Sequence, residues 1–323
     1  MEVLLTETID LAVREQQVSL RDLRRVNIDT TVQEKNVTFP TDSKLLYKAI
    51  VKLVAAARSR GIRLRQSYVR VGKRAAVMAG RYAHAKQYKR MRRQLRTLRT
   101  YVGRLIRDIQ RKAATIDDDL ATLLSRADRI RRQQPKDSHK LYSLHEPEVR
   151  CISKGKAHKR YEFGQKVAIA TTNGDNWVVA SRLMKDNPYD GHTLAASLAA
   201  VESVTGVAVT DAYVDKGYRG HDYTGSAEVH IAGQRYKGAS RTQRRRRRRR
   251  SAVEPKIGHL KSDHRMARCF LAGLQGDAIN AVLAGAGANL RKLLGRFFNA
   301  LIRWLRGVME LSSTHSIART CVA

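Results

Sequence analysis

The sequence predicts an α/β fold in which helices cover a mixed β-sheet. Strand-like runs separated by turn signals occupy residues 161–233, and helical periodicity occupies residues 43–135 and resumes after residue 251. Hydrophobic residues make up 42% of the 323-residue chain, which is enough to bury a core. The length suits two domains, or one large domain with an insertion.

The N-terminal part predicts one helix and one strand. Residues 3–17 carry apolar residues at helical spacing on one face. Residues 24–33 are rich in β-branched residues and alternate in polarity, which predicts a strand that contains Asp29. A cap at Thr41 or Asp42 is expected to start the next helix.

Residues 81–112 predict a basic helical hairpin. They contain 12 Lys and Arg residues and one acid, Asp108. A heptad seam indicates that one face packs on a partner helix; it consists of Met91, Leu95, Leu98, Val102, Leu105 and Ile109. Any single arginine of this segment is most simply interpreted as part of a solvated helix face. Contact with phosphates is the interpretation that accounts for twelve like charges on one stretch.

The pattern changes to strands after Pro135. Residues 161–172 and 176–184 are two strand-like runs, and the Asn-Gly-Asp sequence between them is a hairpin turn signal. Residues 186–206 then predict a loop and a helix. Residues 207–220 predict a buried strand that stops at Asp215 and runs into a Gly-containing turn, and a strand over 227–233 completes the sheet.

Charge and cysteine usage narrow the class of protein. The chain has 63 Lys and Arg against 29 Asp and Glu, a formal net charge of +34, and Arg244–Arg250 is an unbroken arginine run. Nucleic acid is the expected partner, and an anionic membrane surface is the weaker rival. Three separated cysteines exclude a disulfide framework. No stretch of about 18 apolar residues and no signal peptide is present, so we expect a cytoplasmic protein without membrane contact.

Three acids lie where chemistry is expected. Asp29 lies in a strand, Asp215 ends another strand, and Glu254 starts a helical stretch directly after the arginine run. Strand ends and an adjacent helix can bring these carboxylates together, although they are distant in sequence. Carboxylate oxygens suit Mg²⁺, and two ions can activate a hydroxyl and stabilise the leaving oxygen at a phosphodiester.

Other polar groups compete with this interpretation. Asp117, Asp118 and Asp119 precede a helical run, where acids stabilise the positive end of the helix dipole, and this is favoured over a metal site. Asp190 either assists the catalytic centre or caps its helix, and the cap is favoured. The group His259, His264 and Cys269 resembles a zinc site but lacks a second ligand pair with matching spacing.

Several stretches match a known family in combination. They are IDTTVQEKNVTFPTDSKLL (28–46), LYSLHEPEVRCISKGKAHKRYEFGQKVAIATT (141–172), NPYDGHTL (187–194), YVDKGYRGHD (213–222), RRRSAVEPKIGHLKSDHRM (248–266) and LAGLQGDAINAVLAGAGANLRKLL (271–294). On these stretches the chain resembles the DDE transposases of bacterial insertion sequences, in the group of insertion sequence family five.

The resemblance implies a ribonuclease H-like mixed sheet flanked by helices, with a long basic helical insertion after the first strand. It implies this division: an N-terminal helical remnant (1–28), a catalytic core (29–40 and 141–278), an inserted basic helical region (41–140) and C-terminal amphipathic helices (279–323).

The resemblance also implies the site. Asp29, Asp215 and Glu254 match the catalytic, metal-binding acids, with two Mg²⁺ ions that Mn²⁺ can replace. The side chains expected to bind DNA are Lys216, Tyr218, Arg219, Arg247, Arg248, Arg249, Arg250 and Lys261. Arg250 and Lys261 match the basic positions around the family's final Glu, whereas Arg247 stands where related groups have Tyr.

The implied function is cleavage at the ends of a mobile element followed by strand transfer into target DNA. A homodimer in a DNA complex and a place in the bacterial cytoplasm with the nucleoid are expected. Two departures are visible: Pro255 follows Glu254 directly, and few residues precede Asp29, so the chain looks N-terminally shortened. The alternative is a catalytically inactive, shortened relative that only binds DNA.

Overall fold

The computed structural model of the chain describes residues 2–153, 160–234 and 238–320. The chain folds into two compact units, one formed by Met1–Glu34 with Gln165–Ala323 and the other by Lys35–Gly164. The helical unit is therefore longer than the predicted insertion 41–140, because it also includes the strand that follows the last inserted helix.

The elements follow one another in this order. The helices are α1 (Val3–Arg14), α2 (Leu20–Leu23), α3 (Asp42–Ser59), α4 (Val69–His84), α5 (Tyr88–Lys112), α6 (Asp118–Arg132), α7 (Leu194–Thr205), α8 (Arg241–Arg249), α9 (Val253–Ser262) and α10 (Gly273–Thr320). The strands are β1 (Arg25–Lys35), β2 (Arg150–Ser153), β3 (Tyr161–Thr172), β4 (Val178–Met184), β5 (Asp211–Val214), β6 (Glu228–Ile231) and β7 (Arg268–Cys269).

The strands form one mixed sheet, as the sequence predicted. Their hydrogen-bonding order is β2-β3-β1-β5-β6, with β4 also paired to β3 and β7 to β1. The β2-β3 and β3-β4 pairs are antiparallel, and the latter is the predicted hairpin. The β1-β5 and β5-β6 pairs are parallel. Strand β5 ends at Val214 and a 3₁₀ turn follows Asp215, as predicted, but the strand begins at Asp211 rather than at residue 207.

The parallel pairing of β1 with β5 positions the site. The register pairs Val26 with Ala212 and Asn27 with Tyr213. Continuing it by two residues brings Asp29 level with Asp215, at the end of β5. Because neighbouring strands lie about 4.8 Å apart, the two carboxylates share one edge of the sheet.

Helix α1, in the predicted N-terminal helical remnant, packs into the core of the first unit. Leu5 and Ile9 are buried in the same apolar cluster as Val26 of β1 and Trp177. An amphipathic helix buries its apolar face wherever the chain offers a complementary surface, and here this surface is built by distant segments.

A buried asparagine joins three elements of this core. Asn289 of α10 accepts a hydrogen bond from the Val178 amide of β4 (3.0 Å) and donates to the Val178 carbonyl (2.9 Å) and to Thr8 of α1 (3.1 Å). Its side chain is fully buried. Asn289 therefore satisfies backbone groups that would otherwise be buried without partners.

We expect Asn289→Ala to lower the free energy of unfolding by roughly 2–4 kcal/mol, because two buried backbone groups lose their partners. Asn299→Ala is the matched control, since Asn299 lies on the same helix and is exposed; we expect a change below about 0.5 kcal/mol. Urea denaturation followed by circular dichroism measures both. Equal effects of the two substitutions would contradict the assigned role.

The second unit is built around α3, α4, α5 and α6. The heptad seam of α5 supplies the buried residues Leu98, Val102, Leu105 and Ile109. Most of the Lys and Arg residues of 81–112 are exposed on the opposite side, as a basic helix face requires. The predicted caps are present: Thr41 accepts from the Lys44 amide, and Asp117 accepts from the Leu120 amide.

Asp117 thus acts as a helix cap, which was the favoured interpretation. Its two oxygens also accept hydrogen bonds from the Arg60 guanidinium, at 2.8 Å each. This side-chain hydrogen bond, together with the bond from the Leu120 amide, lowers the pKa of Asp117 to about 2. Both oxygens of Asp117 are therefore used in capping α6 and in pairing with Arg60.

The arginine run is helical. Ser240 caps α8 by accepting from the Gln243 amide, and the Gln243 side chain accepts from the Ser240 amide. The helix therefore begins ten residues before the helical pattern predicted from Ser251 onward. Within the part of the chain that the structure describes, no helix is long and apolar enough to cross a bilayer.

Candidate active site

Three carboxylates meet around one guanidinium. Arg250 Nη1 lies 2.9 Å from Glu254 Oε1. Arg250 Nη2 lies 3.3 Å from Asp29 Oδ2 and 3.8 Å from Asp215 Oδ2. The Arg250 side chain is 14% exposed, against 60% for Glu254. The structure therefore brings together the three acids that the sequence singled out, with a positive charge between them.

The two aspartates are held by the local backbone. Asp29 Oδ1 accepts a hydrogen bond from the Thr30 amide at 2.7 Å. Asp215 Oδ1 accepts from the Gly217 amide at 2.8 Å and caps the 3₁₀ turn Lys216–Tyr218. In each case one oxygen is fixed by the backbone while the other faces Arg250, so the two carboxylates have defined directions.

Glu254 lies at the start of a helix, as Pro255 predicted. A 3₁₀ turn, Arg250–Ala252, leads into α9, where Glu254 is the second residue and Pro255 the third. Proline costs no hydrogen bond there, because the first amides of a helix have no intrahelical partner. The spacing of four residues gives the Arg250–Glu254 ion pair, whereas Lys261 lies two turns further along α9.

Three asparagines, which we call the Asn clamp, hold the arginine helix in place. Asn27 donates to the Arg249 carbonyl (3.2 Å), Asn173 to the Arg246 carbonyl (3.0 Å) and Asn176 to the Ala252 carbonyl (3.1 Å). These carbonyls lie in the second half of α8 and in the 3₁₀ turn that follows it.

The sequence did not reveal the Asn clamp. Residues 173–176 looked like an ordinary hairpin turn, and Asn27 looked like a polar residue of a strand. Only the burial of Asn27 and Asn173 shows that they bind another segment.

Asp190 does not cap its helix, so the favoured interpretation of this residue was wrong. Its Oδ1 accepts from Thr30 Oγ1 at 2.8 Å and from Lys166 Nζ at 3.0 Å. Lys166 also donates to the Pro188 carbonyl at 2.6 Å. The Asp190 side chain therefore faces β1 and β3, beside Asp29, because it pairs there with a nearly buried ammonium group.

Tyr218 was expected to contact DNA, and the structure corrects this. Its side chain is fully buried, so the ring cannot reach a ligand at the surface. Burial raises the pKa of Tyr218 well above its usual value, and the negative charges of Asp190, Asp29 and Asp215 raise it further. Tyr218 is thus an uncharged hydroxyl beneath the carboxylates.

The other expected DNA-binding residues differ in exposure. Lys216, Arg219 and Arg248 are exposed, whereas Arg247, Arg249 and Lys261 are half-buried. Arg249 Nε donates to the Asn173 carbonyl at 2.9 Å. A cavity of about 780 Å³ lies along the outer side of α8. Its lining includes Arg241, Arg245, Arg248 and Arg249.

A second acidic group lies at the other end of β5. His230 Nε2 is 3.0 Å from Asp211 Oδ1, and His230 Nδ1 is 3.4 Å from Glu228 Oε1. Among the described residues, these three have potential ligand atoms within 4.8 Å of one another. Burial tends to raise the pKa of Asp211, but the hydrogen bonds from His230 and Thr210 lower it overall. Because the two imidazole nitrogens face different carboxylates, His230 bridges them.

The acids around Arg250 fit a divalent cation chemically. All of their potential ligands are carboxylate oxygens, which hard cations such as Mg²⁺ prefer. The Arg250 guanidinium shows that the position already attracts positive charge. Asp29, Asp215 and Glu254 would hold the ion after Arg250 leaves and their side chains draw together, because their potential ligand oxygens do not all lie within 4.8 Å of one another.

Part of the chain is similar to known proteins. Residues 210–294 match the family model described as Transposase DDE domain. This range contains Asp215 and Glu254 but begins after Asp29. An uncharacterized protein, ORF8 in the nfe locus of Rhizobium meliloti, is 50% identical over 88 residues, or 27% of this chain. The match spans only 42% of that relative's length. No solved structure matches the chain.

Proposed function

Residues 210–294 match the family model of a transposase DDE domain, and on that premise we propose that the chain cleaves phosphodiester bonds at the ends of a mobile element and joins them to target DNA. The observation that carries the proposal is the meeting of Asp29, Asp215 and Glu254 around Arg250. The family model does not cover Asp29, so the geometry of the site supports its role independently.

The carboxylates would act as ligands. Asp29 and Asp215 each hold one oxygen on the backbone and present the other to the site, so both are pre-oriented for cation binding. Glu254 is the most exposed of the three and would complete the ligand set as DNA arrives. Bound Mg²⁺ would activate the attacking oxygen and stabilise the leaving oxygen of a phosphodiester.

Arg250 would exchange partners during this process. Its guanidinium neutralises the acids in the absence of metal. Once a divalent ion takes that role, the guanidinium can pair with a phosphate, a group that it binds in the same bidentate way as a carboxylate. The Asn clamp would keep the backbone of the arginine helix in place while the side chain moves.

The test is cleavage of supercoiled plasmid DNA and strand transfer of a duplex oligonucleotide with a free 3′-hydroxyl, each in Mg²⁺, Mn²⁺ or EDTA. We expect nicking and joining with either metal and none in EDTA. Binding of DNA without cleavage in any metal would support the alternative, a catalytically inactive DNA-binding relative.

The exposed arginines of α8 predict how DNA binding depends on salt. Replacing Arg241, Arg245 and Arg248 together by Gln should flatten the slope of log K against log salt by about 3, roughly one per lost phosphate contact. The exposed Arg14 and Arg21, far from α8 in the sequence, provide a control double substitution. Fluorescence anisotropy at several salt concentrations measures the slope, and a change no larger than in the control would contradict contact through α8.

A further inference from the structure

Asp190 has surroundings that an ordinary surface aspartate lacks. Its Oδ1 is held by Thr30 and by Lys166, whose ammonium group is 10% exposed. Thr30 directly follows Asp29 in β1. The hydrogen bond from Thr30 joins residues 160 positions apart in the chain. Asp190 is therefore fixed beside the first of the three acids by two independent donors.

The second oxygen of Asp190 lies beside Gly217, as does one oxygen of Asp215. A Cβ atom built on Gly217 would lie 3.0 Å from Asp215 Oδ1 and 3.3 Å from Asp190 Oδ2. The two carboxylates thus flank the same small space, which glycine leaves open. Any larger residue at position 217 would crowd both oxygens.

The buried hydroxyl of Tyr218 lies close to the same carboxylates. The Tyr218 side chain is fully buried, and its hydroxyl lies within hydrogen-bonding reach of Thr193 and within electrostatic range of Asp190, Asp29 and Asp215. This hydroxyl makes no hydrogen bond of regular geometry to the described residues. A buried hydroxyl with one weak partner gains from a second partner, and a water bound to a cation between these carboxylates would supply it.

The formal charges of the acids and of the two cations paired with them also favour binding of a further cation. Asp29, Asp190, Asp215 and Glu254 contribute four negative charges, and Arg250 and Lys166 contribute two positive ones. Two negative charges remain among these six groups. This excess matches one divalent ion, even before Arg250 moves.

We infer that Asp190 is a fourth carboxylate of the metal site and supplies an oxygen, directly or through a water, to the divalent cation held by Asp29 and Asp215. This inference rests on the proposed function, because it deepens the metal site of that reaction. Lys166 and Thr30 are positioning residues that fix the direction of the Asp190 carboxylate.

The test measures Mn²⁺ binding to the whole chain by electron paramagnetic resonance and calorimetry, without DNA. We expect Asp190→Asn to weaken Mn²⁺ binding at least about tenfold, since a neutral amide is a much poorer ligand. Asp222→Asn removes the same charge from an exposed residue of a nearby loop, and we expect less than a twofold change. Equal weakening by both substitutions would indicate a general charge effect and overturn the inference.

Asp215→Asn separates the inference from the proposed function. If Asp215→Asn weakens Mn²⁺ binding and Asp190→Asn does not, the fourth carboxylate is wrong and the three-acid site stands. If neither substitution changes Mn²⁺ binding, both the inference and the proposed metal site are wrong.

The same series includes a variant that controls for loss of folding. Asp190→Glu keeps a charge for Lys166 while displacing the carboxylate by one methylene, so it should fold even if the Asn variant does not. We expect it to weaken Mn²⁺ binding severalfold with an unchanged circular dichroism spectrum. Binding as tight as in the wild-type protein would contradict a ligand role for Asp190.

Discussion

Replacing Asp215 by Asn will abolish Mg²⁺-dependent DNA cleavage while leaving DNA binding intact. Asp215 stands at the end of β5, level with Asp29, and presents one oxygen to the site. Loss of that ligand removes several kcal/mol of stabilisation from the charge that develops at the phosphate, which corresponds to a rate reduction of roughly a thousandfold. DNA binding persists because the substitution removes no positive charge.

Plasmid nicking and fluorescence anisotropy, performed on the same preparations, separate these two effects. Asp222→Asn is the control, because it removes an exposed carboxylate that lies seven residues further along the chain. Cleavage at the wild-type rate by the Asp215 variant would rule out the proposed role of this residue. Equal loss of cleavage in the control would show that the overall charge, rather than the ligand, is responsible.

Replacing Arg250 by Gln will destabilise the metal-free protein. It will also increase the amount by which Mg²⁺ raises the stability of the protein. The guanidinium sits among three carboxylates, of which Asp29 is largely shielded from solvent and Asp215 is partly exposed. Removing it leaves their mutual repulsion uncompensated, at a cost of about 1–3 kcal/mol after allowance for the exposure of Glu254. A divalent ion then restores the balance without first displacing an arginine, so it stabilises the variant more than the wild-type protein.

Thermal unfolding with and without Mg²⁺ measures both parts of this prediction. Arg248→Gln is the matched control, because Arg248 lies in the same run and its side chain is exposed. We expect the control to unfold within a degree or two of the wild-type protein in either condition. A variant that is as stable as the wild type without metal, or that gains no more from Mg²⁺, would contradict the role of Arg250 as a cation among the acids.

Much of the fold was accessible from local patterns. Alternating polarity predicted β1, a turn signal between two strand-like runs predicted the β3-β4 hairpin, and helical spacing predicted α3 and α5. Burial pattern and turn chemistry repeat over a few residues, so they can be recognised without knowing what packs against them. The end of β5 before Asp215 was also predicted. The helical arginine run was missed, because the capping box of Ser240 and Gln243 starts a helix that the average pattern of the run does not reveal.

From the sequence, the resemblance to a known family singled out Asp29, Asp215 and Glu254 among the 29 acids, and the strand ends and the helix start visible around them agreed with that choice. Only the tertiary structure shows which other residues contact these acids. Arg250 reaches Asp29 across 221 residues, and Thr30 reaches Asp190 across 160. The pairing of β1 with β5 and the Asn clamp create these contacts. Local patterns record which side of a segment is buried, but they carry no information about which distant segment will cover it.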